Sequence, residues 1–367
     1  MKEKFLTDKK ELTCLLINII TIKMFFTYPR DIINNAGNAA WLQCLFVSLI
    51  AIGLYYITIN IYKTAGMKSL ISLCEEVGKK PLKIAVGVII ILLLSVNVCI
   101  TLRSFPESVK NVLLPLTQME IIVILLGVAV AVAALCGFNA LSRIHAIYIP
   151  FAGIVVLGLV ILISPYADVT NIAPLFGKGT YNLLVKGLEY LSIFSDILLL
   201  YIIIPFCKNF EDVKRGGRNA IIISAFVSCL IIFCFNLIYA PPAAEEFIFP
   251  VYQMTRLIRV GEFFQRLDAF FEFIWSIAIM LYAAVYIFVI CYVFKEIFDL
   301  KYTRELIFPV TLIISFFSFI PSSIIDLLES GKMIYKITIP FSYLLPLIIP
   351  LIYRIKQKSK NELKDIV

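Results

Sequence analysis

The sequence predicts an all-α integral membrane protein of ten transmembrane helices. They form two inverted repeats of five, with helices 1 and 6 broken at mid-membrane. Three observations predict this fold. The 367 residues are 61% hydrophobic and 16% charged, with a mean hydropathy of +0.95, whereas a soluble domain is about 45–50% apolar and about 25% charged. The apolar residues also come in runs: Ile84–Leu102 and Ile121–Leu141 carry no charge, and each is close to the roughly 20 residues a helix needs to cross about 30 Å of hydrocarbon. Finally, two of the runs, the first and the sixth, are interrupted by proline and polar residues.

This composition excludes a soluble enzyme, a disordered tail and a nucleic-acid-binding module. The nine cysteines are scattered without a Cys-x-x-Cys pair and there is one histidine, His145, so neither a metal site nor a cofactor is expected. The cysteines read as small buried apolar side chains. No small-residue cleavage site follows the first apolar stretch, Leu12–Tyr28, which is expected to stay as the first span.

Charge-poor windows place the spans at Glu11–Asn35, Ala40–Tyr62, Leu82–Leu102, Thr117–Cys136, Leu141–Ser164, Tyr181–Phe206, Asn219–Ala240, Phe264–Phe298, Glu305–Ser322 and Tyr335–Tyr353. Residues 1–10 and 354–367 are tails, 11–164 the first five-helix repeat and 165–353 the second. Five spans per half necessarily invert the second half. The eighth span holds no Gly or Pro, and about 35 helical residues would run near 50 Å, so it must tilt or project from the membrane. The stretch Pro241–Phe263 reads as an external loop with a short amphipathic helix.

Basic residues set the sidedness. Lys2, Lys4, Lys9 and Lys10 of the N-tail lie on one side with Lys63 to Lys80, Lys208 to Arg218, Lys295 to Arg304 and the C-tail lysines. The opposite loops carry far fewer, which makes both termini cytoplasmic. The net charge of +8 is therefore topological, with contact to anionic lipid its other meaning.

A ligand site is expected where the two broken spans meet. In span one, Lys23 precedes Thr27, Tyr28, Pro29 and Arg30, and the chain beyond is too polar for lipid. Span six carries Glu189, Ser192, Ser195 and Asp196 before Pro205, with Glu189, Ser192 and Asp196 on one α-helical face. Lys23 lies too deep to snorkel and needs an acid or a wet cavity; Asp196 is the expected partner. A lysine there would take the place of a sodium ion, or form a purely structural ion pair. Asn97 and Thr101 of span three face substrate or a neighbouring helix, and Tyr282 and Tyr286 of span eight could close over a ligand. The candidate binding residues are Lys23, Thr27, Tyr28, Asn97, Ser192, Ser195, Asp196 and Tyr282.

The run from Phe249 through Tyr252, Arg256, Gly261, Glu262, Phe263, Arg266, Asp268 and Ala269 to Trp275 resembles the corresponding loop of spore germination permeases. These are the B subunits of nutrient germinant receptors, relatives of amino acid–polyamine–cation transporters. Pro29-Arg30 with Ala36-Gly37 and Trp41, and Pro205-Phe206 with Lys208, extend the likeness to essentially the whole chain. It departs at Ile22, Lys23 and Met24, where the family often has glycines, and near Asp196, so the germinant's identity does not carry over. The resemblance implies a non-enzymatic subunit that senses a small nutrient, an amino acid, at the spore inner membrane. Its implied partners are an A-type membrane subunit and a C-type lipoprotein. It also implies that Arg256, Arg259, Arg266 and Asp268 form ion pairs at the bundle mouth. The competing reading is an amino-acid transporter driven by protons or another cation; a membrane enzyme lacks any nucleophile–base pair, metal cluster or phosphate loop.

Overall fold

The computed structural model describes residues 6–258 and 267–364. Arg259 and Arg266, with the Gly261-Glu262-Phe263 part of the loop motif and residues 264–266 of the expected eighth span, lie outside the described residues. The described chain is helical: α1 Lys9–Thr21, α2 Tyr28–Ala36, α3 Ala40–Tyr62, α4 Leu70–Val112, α5 Met119–Leu135, α6 Phe138–Ile163, α7 Thr180–Leu184, α8 Leu198–Ile203, α9 Phe210–Ile238, α10 Pro241–Ala244, α11 Pro250–Leu257, α12 Leu267–Phe298, α13 Arg304–Phe317 and α14 Ile324–Lys364. Among the described residues, seven helical stretches are long and apolar enough to cross a membrane, and α5 is apolar but shorter. The protein is a multi-pass membrane protein.

Local chemistry explains the element boundaries. Asp8 and Glu11 form a reciprocal capping box that starts α1. At the other end of the first span, Pro29 cannot donate to the Phe25 carbonyl and its ring crowds it. The chain accordingly tightens into a 3₁₀ turn at Ile22–Phe25 and leaves helical geometry at Phe26 before α2 begins with Pro29 in its first turn. The helix α4 is longer than the expected third span because it includes a segment on the termini-bearing face. Gly78 and Lys79 (φ 60°) bend it there, and Pro81 begins the straight part. The helix α14 likewise runs beyond the expected tenth span at both ends.

Burial sorts the helices into centre and shell. Every residue from Leu12 to Thr21 of α1 is buried, and 83% of the most apolar window is buried in both Thr180–Phe206 and Leu267–Phe298, against 17% in Phe138–Tyr166. A helix buried on all sides belongs at the bundle centre. The two interrupted segments and α12 are thus central, while α6 and most of the remaining helices face lipid. The 32 residues of α12 span about 48 Å, so it extends beyond the hydrocarbon.

Candidate functional site

The second interrupted segment differs from the first in kind. Residues Lys186–Ile197 form one 3₁₀ helix, whereas runs beyond three or four residues are uncommon and mark hinges or strained segments. With three residues per turn, Glu189, Ser192 and Ser195 share a face, and Asp196 is rotated away from it. An α-helical count had instead put Asp196 with Glu189 and Ser192.

Four successive carbonyls of this 3₁₀ helix each accept a side-chain donor. The Ser192 hydroxyl donates to Glu189 O (3.1 Å), Tyr28 to Tyr190 O (2.5 Å) and Tyr343 to Leu191 O (3.1 Å). Ser192 O accepts from the Ser195 hydroxyl (2.7 Å) and the Lys23 ammonium (2.9 Å). These donors meet the carbonyls' second lone pairs, beside the i→i+3 backbone bonds of the 3₁₀ helix. Below, Tyr62 donates to Tyr201 O (3.3 Å), the carbonyl that Pro205 cannot reach.

Lys23 is the hub. Its Nζ is 2.9 Å from Asp196 Oδ2, both side chains 3% exposed, and it also donates to the Ser195 hydroxyl at 3.1 Å. With Ser192 O, it has two hydrogen-bond acceptors beside the Asp196 ion pair. On one side the Tyr335 ring of α14 lies 5.0 Å from Nζ. On the other, Tyr282 and Tyr286 stack at 4.4 Å beside Asp196.

Beyond Tyr335 opens a cavity of about 250 Å³, lined chiefly by Tyr28, Asp31, Asn34 and Asn35 of the first interrupted segment, Glu189, Tyr190 and Ser192 of the second, and Lys332, Tyr335 and Lys336 of α14. Two ion pairs strap α14 across it: Lys332 to Asp31 at 2.9 Å and Lys336 to Glu189 at 2.8 Å. Tyr190 returns a hydrogen bond to Asp31 O (2.7 Å) and meets Tyr28 edge-on. The cavity thus offers carboxylates, ammonium groups, amides and aromatic faces within one small volume.

Of the residues named from sequence, Lys23, Tyr28, Ser192, Ser195 and Asp196 converge, and Tyr282 neighbours Asp196. Tyr28 and Ser192 reach the cavity itself. Thr27 begins α2, its carbonyl accepting from Asp31 N. Asn97 does not join the cluster: its amide donates to Leu93 O of its own helix at 2.8 Å. The next turn does reach the site, since the Thr101 hydroxyl lies beside Tyr282. Sequence reasoning missed Lys332, Tyr335 and Lys336, whose spacing of three and four puts them on one helical face. It also missed Tyr190, Asp31 and the asparagines of α2. Among the described residues no group of three His, Cys, Asp or Glu side chains could hold a metal ion. In the loop above, Arg256 lies 6.0 Å from the Tyr252 ring and Tyr252 donates to Asp268, so these two motif residues meet through an aromatic.

The fold is shared with solved transporters of the LeuT type. MhsT in complex with L-phenylalanine superposes with a TM-score of 0.66 at 15% identity, covering 92% of this chain and 87% of that one. A Na⁺-coupled sialic acid symporter in a substrate-bound outward-open state gives 0.67 at 10% identity, covering 93% and 79%. By sequence, the chain is similar to spore germination protein KB of Bacillus subtilis (24% identical over 340 residues, 90% of this chain and 91% of that one). Spore germination protein GerLB of Bacillus cereus is 22% identical over 335 residues, 90% of each chain. The putative spore germination protein YfkT of B. subtilis is 23% identical, with 89% and 90% covered. The family model described as spore germination protein matches residues 7–326, and the chain belongs to that spore permease family.

Proposed function

We propose that this protein is the membrane-embedded germinant-sensing subunit of a spore nutrient receptor, and that its ligand is a single amino acid. The observation that carries this reading is the polar cavity between both interrupted segments and α14. At about 250 Å³ it is smaller than the about 300–1,000 Å³ of drug-sized sites, and its mixed carboxylates and ammonium groups suit a zwitterion. Lys332 and Lys336 would release their partners to meet a ligand carboxylate, and Asp31 and Glu189 would then take its ammonium. Lys23, Ser195, Asp196 and Tyr282 form the floor, Tyr28 and Ser192 face the ligand, and Thr27 stands at the start of α2, while Asn97, bonded to Leu93 O within α4, stands apart.

In this reading the chain crosses the membrane ten times as two inverted repeats, residues 11–164 and 165–353, with both tails cytoplasmic. It sits in the spore inner membrane beside an A-type subunit and a C-type lipoprotein. The Lys23 ammonium would stand in for a sodium ion, which leaves the protein either ion-independent, as a receptor would be, or proton-linked. Ligand signals by binding one arrangement of α14 and the interrupted segments better than another, since only differential affinity shifts a population.

Calorimetric titration of the purified protein with single amino acids and nucleosides tests this reading. One amino acid is expected to bind, with affinity reduced tenfold or more by Glu189→Gln; binding untouched by that change would place the site elsewhere. Concentrative amino-acid uptake into proteoliposomes under a proton or sodium gradient would replace the receptor reading with the transporter.

A further inference from the structure

A second cavity, of about 420 Å³, opens on the lipid-facing surface between α4, α13 and α14. Its walls include Leu92 and Ile100 of α4, Ile313 and Phe317 of α13, and Ile334 of α14. Leu92, Ile313 and Phe317 are also exposed on the bundle's outer surface. Arg103 stands one turn beyond the lining residue Ile100. Its guanidinium lies 5.8 Å from the Phe319 ring, and Nη2 is a long 3.5 Å from Glu107. Its Nε is buried without a partner.

We propose that this crevice holds one acyl chain of a membrane phospholipid, that Arg103 binds its phosphate, and that the seated chain steadies the part of α14 lying over the polar cavity. Leu92 to Arg103 is eleven residues, about 16 Å, which matches one leaflet of a 30 Å core. Arg103 therefore sits where a headgroup begins when the tail fills the crevice. The side chain is 13% exposed and Nη2 holds Glu107 only at 3.5 Å, so the Nη groups, rather than the buried Nε, would turn to a phosphate oxygen. A partner helix, about 10 Å across, would not enter so small a cleft. Ile334, in the crevice wall, immediately precedes Tyr335, which covers Lys23. Below them Pro340 interrupts the hydrogen bonding of α14, so residues 324–339 can pivot as a unit.

The lipid seat stands independently of the germinant reading; only the importance of α14 rests on it. The test is thermal unfolding of the delipidated full-length protein in detergent with phosphatidylglycerol, with glycerol phosphate and diacylglycerol as separate headgroup and tail controls. Phosphatidylglycerol is expected to raise the wild-type midpoint by about 3 °C, and neither control to match it. Ile100→Trp, which fills the crevice, should abolish the shift. Leu92→Trp, at a lipid-exposed position, should reduce it without perturbing the core. Arg103→Gln should bring the phospholipid down to the level of diacylglycerol. Hydrogen exchange of the 324–339 amides should slow with phosphatidylglycerol in wild type and not in Ile100→Trp. Equal midpoint shifts in wild type and all three variants would overturn the seat. A normal lipid shift with unchanged amide exchange would overturn the steadying of α14. Neither readout uses a germinant, so failure of the receptor reading would leave both intact.

Discussion

Lys23 and Asp196, 173 positions apart in the chain, are joined at 2.9 Å with each side chain 3% exposed. The pair ties the 3₁₀ turn of the first interrupted segment to the end of the long 3₁₀ run in the second. Removing one member strands a buried charge, which typically costs about 3–5 kcal/mol, whereas replacing both with apolar groups is often nearly neutral. Lys23→Met is therefore expected to lower unfolding stability by several kcal/mol in detergent, and Lys23→Met with Asp196→Leu to recover most of it. Equal losses in the single and double variants would show that the charges do not act as a pair.

Tyr28 holds the same two segments together nearer the cavity, donating to Tyr190 O at 2.5 Å and lying 3.1 Å from the Ser192 hydroxyl. Tyr28→Phe removes that donor from buried acceptors, an expected loss of about 1–3 kcal/mol. Because Ser192 shares the network, Tyr28→Phe and Ser192→Ala should be non-additive by about 0.5 kcal/mol or more in a double-mutant cycle. Strict additivity would separate Tyr28 from Ser192.

The membrane fold was legible because hydrocarbon demands long apolar runs, and the charges that break them are too costly to be accidental. The same cost exposed Lys23 and Asp196. Local backbone geometry was not legible. Nothing in Lys186–Ile197 distinguishes a 3₁₀ from an α-helix by pattern, so the position of Asp196 relative to Glu189 came out rotated. Lys332 and Lys336 were hidden for another reason. Lying at the boundary of the tenth span, they were counted as loop charges, although each pairs across the cavity with Asp31 or Glu189. Their spacing around Tyr335 was the available signal. Asn97 misled because a buried amide satisfied within its own helix looks, in sequence, like one aimed at a ligand.

Gly177 is where the loop before α7 crosses the end of α2, with φ +48° and a Cβ position only 1.9 Å from Ala36 O. That carbonyl accepts from Lys178 N at 3.1 Å, so the crossing cannot widen without losing the bond. Gly177→Ala should cost about 2–4 kcal/mol from overlap and backbone strain together. Gly158→Ala, in open space within α6, should be neutral or slightly stabilising. Comparable midpoints for the two variants would mean that the loop does not pack on α2 in this way.

On the termini-bearing face, Asp299 at the end of α12 bonds Lys83 at 3.1 Å and Lys80 at 3.3 Å, fastening α12 to α4 just past its bend. The Lys83 and Lys80 ammonium groups hold the Asp299 carboxyl below its ordinary value of 3.8. A depressed carboxyl stabilises the fold above its unfolded-state value, and loses that contribution as pH falls through the lower folded-state value. The midpoint difference between wild type and Asp299→Asn should therefore be constant from pH 7 to about 5 and shrink below about 4. Salt should erase only part of it. Lys80 is 64% exposed and is screened, whereas Lys83 is 5% exposed and also holds Glu75 at 2.8 Å. Thermal unfolding of both proteins across pH 7 to 3, at low and at molar salt, checks this. A difference that persists unchanged at pH 3 would mean that Asp299 acts through packing rather than charge.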